Sequence, residues 1–375
     1  MGENFRQLNQ QTIGRPDGFA FPIGLDTLRV SSGGDVTRNV ALTTNGGTQT
    51  IDGSNTVHSF TSNAASAYFS SNTGLGYGLV AEVLAVAGGG GGGWDGGGGG
   101  GAGGLYYTNS AVFANGVIHT VTIASGGAGD PSGSTRGSVG SNTSITYRGP
   151  AAPVTGNVVA EGGGGGGSAP GQSGQTGGPG GSGGGGNIYN AAGGATSNSA
   201  QGNAGGTGAI AGPLASGRGA GGGGAGGAGV NGTVPGTGGA GGVGLFYSIS
   251  GSNTGYAGGA SGGGSGYAPG QIAGISQPSS QPAMLSASGP YGGGTNNYGG
   301  GIGGGYPNFG SPPQAYAGGL NSGGGGGGGG GGTGAGLNGG SGVVHIRYVT
   351  SNTENTLVET DFYSIGGANS GVIAS

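Results

Sequence analysis

Residues 79–93 read LVAEVLAVAGGGGGG, an apolar stretch that runs without a break into six glycines. Leu79–Ala87 carries one charge, Glu82, in an otherwise apolar run, the pattern of a β-strand covered on both faces. Glycine runs alone signal a flexible linker, because glycine loses the most backbone entropy on ordering. A linker does not fit here. Gly88–Gly93, Gly96–Gly101, Gly162–Gly167 and Gly323–Gly332 all adjoin apolar or β-branched segments that must be buried somewhere.

Outward from that junction the β signals continue. Thr56–Phe60 alternates, and Val112–Ile123 reads as a hairpin whose Asn115-Gly116 pair suits a type I′ turn. Thr143–Tyr147, Asn157–Ala160, Val243–Ile249 and Val343–Val349 are further strand candidates. A 3.6-residue apolar period appears nowhere. The expected class is all-β with no significant α-helix, a small β-sheet or sandwich continuing into something else.

That second element is residues 162–342, where Arg218 is the only charge. Polyglycine II suits it: an extended left-handed helix with three residues per turn and about 3.1 Å rise. One such helix has no internal hydrogen bonds, but several side by side bond to each other, and only glycine permits contact on every face. Gly323–Gly332 would span about 31 Å in this form. The chain therefore divides into an extended arm (1–50), a β-rich domain with the first glycine runs (51–160), a polyglycine-II bundle (161–342), and a closing strand with a tail (343–375).

Composition excludes several functions. Glycine supplies 115 of 375 residues, charged residues are 5%, and the formal net charge is −4. No basic cluster exists to track a nucleic-acid backbone. There is no cysteine for disulfides or thiolate metal sites, and no run of about 18 apolar residues to span a membrane. The first residues lack a secretion signal's apolar core, although the composition suits an exposed, harsh setting.

Four segments carry a resemblance when taken in order: LVAEVLAVAGGGGGG at 79–93, GGGGGGAGGLYY at 96–107, VIHTVTIASGGAG at 117–129 and GGSGVVHIRYV at 339–349. Together they resemble the glycine-rich domain of bacteriophage tail-fibre and related virion proteins, over roughly residues 56–350. The second half is similar in layout to the tip adhesins of T-even-type long tail fibres, which stack polyglycine II helices and present receptor-binding loops. The resemblance implies a virion protein, assembled in the host cytoplasm and exposed on the released particle. Its implied partners are other virion proteins and a host surface polysaccharide or outer-membrane protein. It also implies a homo-oligomer, with a trimer favoured.

Candidate site residues follow from chemistry. Tyr256, Tyr267, Tyr291, Tyr298, Tyr306, Phe309 and Tyr316 lie between glycine stretches on a Ser/Asn background, the composition of adaptable binding loops. The alternative is that they cap the bundle's edges or line a subunit interface. Phe5, Phe19, Phe21, Ile23 and Leu25 in the arm would be poor exposed residues and point to docking on a neighbour. His58, His119 and His345 each fall inside a strand and read as satisfied core or interface histidines rather than metal ligands. Glu82, inside an apolar strand, reads either as a buried acid with a raised pKa or, more simply, as the partner of an arginine such as Arg347 on the closing strand. The many GxGxxG strings open no helix after a strand, and no aspartates have calcium-loop spacing. No enzyme, cofactor or metal site is expected. The expected function is tail-fibre adhesin or receptor binding, with a structural virion component (capsid fibre, decoration or tail/neck protein) as the alternative.

Overall fold

Alternating burial builds the first half of the molecule. The computed structural model describes residues 42–61, 67–73, 79–114, 118–148, 155–170, 174–210, 217–234, 238–265, 299–302, 316–332 and 334–350. All of them fall within one unit, Ala41–Thr350. None of these residues is helical. In chain order the larger strands are β1 (Leu42–Asn45), β2 (Thr48–Asp52), β3 (Asn55–Phe60), β4 (Ala67–Thr73), β5 (Leu79–Val86), β6 (Leu105–Phe113), β7 (Ile118–Thr122), β8 (Thr143–Arg148) and β9 (Thr155–Ala160). Five short strands follow: β10 (Ala209–Ile210), β11 (Gly217–Arg218), β12 (Leu245–Tyr247), β13 (Thr254–Tyr256) and β14 (Gly264–Ser265). The last is β15 (Val343–Val349).

The larger strands form two five-stranded antiparallel sheets, ordered β1-β4-β7-β8-β9 and β2-β3-β15-β5-β6. One apolar core draws on both: Phe60, Val83, Phe113 and Ile346 from the second sheet meet Phe69, Val121, Ile145 and Val158 from the first. A row of rings crosses between them, His58 on Phe69 at 5.2 Å, Phe69 on Phe113 at 5.0 Å, and Phe113 on His119 at 5.0 Å. The run that opened the sequence behaves as its pattern requires. Leu79, Ala81, Val83, Ala85 and Ala87 face this core, while Leu84 and Val86 face a second cluster with Leu105, Ile249, Tyr256 and Val343.

Three local expectations change. Val112–Ile123 is not a hairpin, because β6 bonds to β5 in one sheet and β7 to β4 and β8 in the other. Within Val243–Ile249 only Leu245–Tyr247 is strand, and it pairs with β13 in a small ribbon. Strand structure also begins at Leu42, inside the stretch assigned to the arm.

The pairing of Glu82 with Arg347 is present, with Arg347 Nη2 2.8 Å from Glu82 Oε2. Arg347 also donates through Nη1 to the Ser248 carbonyl at 3.0 Å. The pair is partly solvated, so Arg347→Ala is expected to lower stability by about 1 kcal/mol in urea titration. A loss of several kcal/mol would mean that the pair braces the sheet rather than decorating it.

The glycine segments leave the sandwich from one end and hold each other by backbone hydrogen bonds with a period of three. The amides of Gly88 and Gly91 donate to Ser141 and Ser138, those of Gly89 and Gly92 to Gly340 and Leu337, and those of Gly90 and Gly93 to Gly101 and Gly98, at 2.8–3.2 Å. All three partner segments run antiparallel to Gly88–Gly93. The carbonyls of the same six residues accept from Gly163, Gly127, Gly326, Gly166, Asp130 and Gly329 in turn, on three segments running parallel. Gly88–Gly93 thus sits among six neighbours, three receiving its amide protons and three supplying protons to its carbonyls. The contacts are close enough to forbid a side chain. A Cβ on Gly92 would lie 2.0 Å from the Gly327 oxygen.

Candidate functional site

Hydrogen bonding gives the glycine array two ends. Ala87, Gly104, Glu161 and Gly342 lie where it meets the sheets, with Ala87 donating to Gly104 and Gly104 to Glu161. The opposite end is made of turns and bends, among them residues 94–96, 131–135 and 188–190. Gly264 and Ile302 also belong there. Gly331 donates to Gly264 at 2.9 Å, and Tyr316 donates to Ile302 at 2.8 Å while its carbonyl accepts from Gly327.

The aromatic candidates separate. Tyr256 is only 3% exposed, buried in the second apolar cluster, with its hydroxyl 3.1 Å from His345 Nε2. It is a core residue of the joint between sheet and array, not part of an exposed loop. An aromatic on a short strand facing a sheet is buried more profitably than one left in solvent. Tyr316 is half-buried and its backbone belongs to the array. Tyr267, Tyr291, Tyr298, Tyr306 and Phe309 lie outside the described residues, as do Phe5, Phe19, Phe21, Ile23 and Leu25. Of the described residues that flank two of those stretches, Ser265, Ile302 and Tyr316 lie toward the far end, whereas Gly299, which accepts from the Gly319 amide at 2.6 Å, lies beside Ser322 at the sheet end.

That end contains residues the sequence reading passed over. Trp94, half-buried, interrupts the first glycine hairpin, and Gly133 packs against its ring so closely that a Cβ there would lie 2.4 Å from it. Its amide donates to Ser168 Oγ at 2.9 Å, and that hydroxyl donates to Asp130 Oδ2 at 2.6 Å. Asn187 Nδ2 donates to the Ser168 carbonyl. Ser168, Asn187 and Asp130 are buried, so the chain is a brace between three turns. Asp95 has a left-handed backbone (φ 51°), and its Oδ1 accepts from the Gly332 amide at 2.7 Å. Burial raises its carboxyl above the usual range, partly offset by that hydrogen bond. Tyr189 beside it is raised by burial and by the Asp95 charge. Arg218 is buried on β11, donates to its neighbour Gly217, and is lowered by burial. The available signal was the chain's one tryptophan set between two glycine runs.

The far end therefore offers partly exposed aromatic and amide groups on turns that a rigid support fixes in place. Among the described residues no group of three or more His, Asp or Glu side chains could hold a metal ion. No helix among them is long and apolar enough to cross a membrane. Set against known proteins, the chain matches no family model, no curated protein and no solved structure.

Proposed function

We propose that this chain is a non-enzymatic bacteriophage virion protein, a tail-fibre adhesin or receptor-binding component. In this reading a β-sandwich carries a polyglycine-II bundle, whose far end contacts the host surface. The three-residue period of the hydrogen bonds around Gly88–Gly93 carries the bundle reading, because a threefold helix returns to the same neighbour every third residue. Six residues at about 3.1 Å rise hold the far-end turns about 19 Å from the sheets. The four segments that resemble tail-fibre glycine-rich domains supply the biological setting. The contact surface comprises the far-end turns together with the stretches holding Tyr267, Tyr291, Tyr298, Tyr306 and Phe309. The partner is a host polysaccharide or outer-membrane protein, bound by a homo-oligomer, a trimer by preference.

The burial of Tyr256 favours the second reading, a structural virion component, since at least one of the aromatics is used internally. Cryo-electron microscopy of the intact particle separates the two. Density at the free end of a fibre is the expected result. Density on the shell, neck or fibre base would sink the adhesin reading and leave the structural one.

A further inference from the structure

Of the three histidines, His345 occupies a different place from the others. His58 and His119 lie between the two sheets, whereas His345 is on the outer face of the second sheet, in its central strand β15, beneath the β12–β13 ribbon. It is 6% exposed, and both ring nitrogens are engaged. Nδ1 is 2.8 Å from Ser59 Oγ on β3, and Nε2 is 3.1 Å from Tyr256 Oη on β13. A neutral imidazole has one donor and one acceptor nitrogen, and two hydroxyls satisfy either tautomer. A doubly protonated ring instead needs both hydroxyls to accept, and it puts a charge beside Leu84, Val86, Ile249 and Val343.

The surrounding groups do not balance that charge. Arg347, two residues along the same face of β15, is a like charge. Glu82 on β5 faces that row but is already matched by Arg347, and Tyr107 on β6 donates to it as well. Tyr247 on β12 stacks on Tyr107 at 4.8 Å, and Asp52 on β2 faces Gly251 in the turn of the ribbon.

We propose that this seam is an acid-sensitive joint: protonation of His345 releases the β12–β13 ribbon from the sheet and bares Leu84, Val86 and Ile249. The glycine array, held by backbone hydrogen bonds, stays closed. Burial pushes His345 down from 6.5 to about 4. The sign follows from proton binding: the open seam takes up a proton below pH 6.5 and the closed one only below about 4. Closure is therefore fully favoured above pH 6.5 and weakens as pH falls through that window, by roughly 300-fold in all. Burial lowers His58 in the same direction, but it sits inside the sandwich, where its ring nitrogens meet the Gly46 carbonyl at 2.7 Å and Tyr348 Oη at 3.2 Å, so its titration is felt in the core and not in the β12–β13 ribbon.

Amide hydrogen exchange on the full chain between pH 7.5 and 4, corrected for intrinsic rates, tests this. Residues 245–257 are expected to lose roughly two orders of magnitude of protection, while residues 88–104 keep theirs. In His345→Gln, which retains one donor and one acceptor, the loss should vanish. Unchanged protection of 245–257 down to pH 4 overturns the proposal. So does simultaneous loss in 88–104, or an undiminished loss in His345→Gln. Should that variant not fold, the histidine Cε1–H resonances of the unaltered protein decide. A His345 midpoint below 5, toward which the loss of protection grows from pH 6.5 and then levels off, supports the joint, and a midpoint near 6.5 removes it.

Discussion

Gly92→Ala is expected to destabilise the protein by about 3 kcal/mol or more, the upper range for forcing atoms into a packed interior. The added Cβ would lie 2.0 Å from the Gly327 oxygen and 2.6 Å from its carbonyl carbon, and neither is the movable end of a side chain. Relief requires neighbouring segments to part, which breaks hydrogen bonds worth about 1 kcal/mol each. Gly264→Ala is the matched control. The nearest atoms to a Cβ there belong to the Arg218 side chain, at 3.6 Å and beyond, which is ordinary contact. That variant should stay within about 0.5 kcal/mol of the parent. Thermal melts of the two, followed by circular dichroism, give the comparison. If they melt alike, close backbone approach is not what holds the array together.

Ending the chain after Gly342 is expected to prevent the sandwich from forming. β15 is bonded to β3 on one side and to β5 on the other, so its loss leaves two open strand edges in the middle of a sheet. It also removes Val344, Ile346 and Tyr348 from the core, at about 1.5–3 kcal/mol for each large apolar side chain. That total competes with the whole stability of a typical domain, about 5–15 kcal/mol. The truncated chain should be aggregated, or rapidly cleaved by protease within β3 and β5. A soluble truncated protein with protected β3 and β5 amides would contradict this. The register Val57↔Arg347 also means that the sheet closes only after nearly the whole chain is available, a non-local pairing that predicts slow folding.

Much of the sandwich was legible because burial on one or both faces writes itself into the sequence. Leu79–Ala87, Thr143–Tyr147 and Val343–Val349 were readable that way, and so was the partnership of Glu82 with Arg347. The hairpin expected over Val112–Ile123 failed for a physical reason. An Asn-Gly pair reports local turn geometry, whereas strand pairing depends on where the chain travels between strands. β5 and β6 are joined through residues 87–104, which run out along the array and back, and no local pattern records that return. β4 went unread because AYFSSNT is mostly polar, although Phe69 is fully buried. Within the array, register is invisible wherever every position is glycine. At the candidate site, tyrosine-rich stretches drew the reading away from Trp94, and composition did not separate the buried Tyr256 from its neighbours.

The six-neighbour packing of Gly88–Gly93 has a consequence for heredity. Every amino-acid replacement reached by one base change in a glycine codon adds at least a Cβ, and Gly88–Gly93, enclosed by backbone, have no room for one. Inherited variation that leaves the protein functional must therefore avoid those glycines and gather in the turns, at positions that already carry a Cβ such as the buried Ala220 and Ala260, and on outward-facing ones such as Ala128, Ala195 and Val230. A lineage of such proteins would diversify at its far end while its shaft stood still, with new surfaces arising only where the glycine stops.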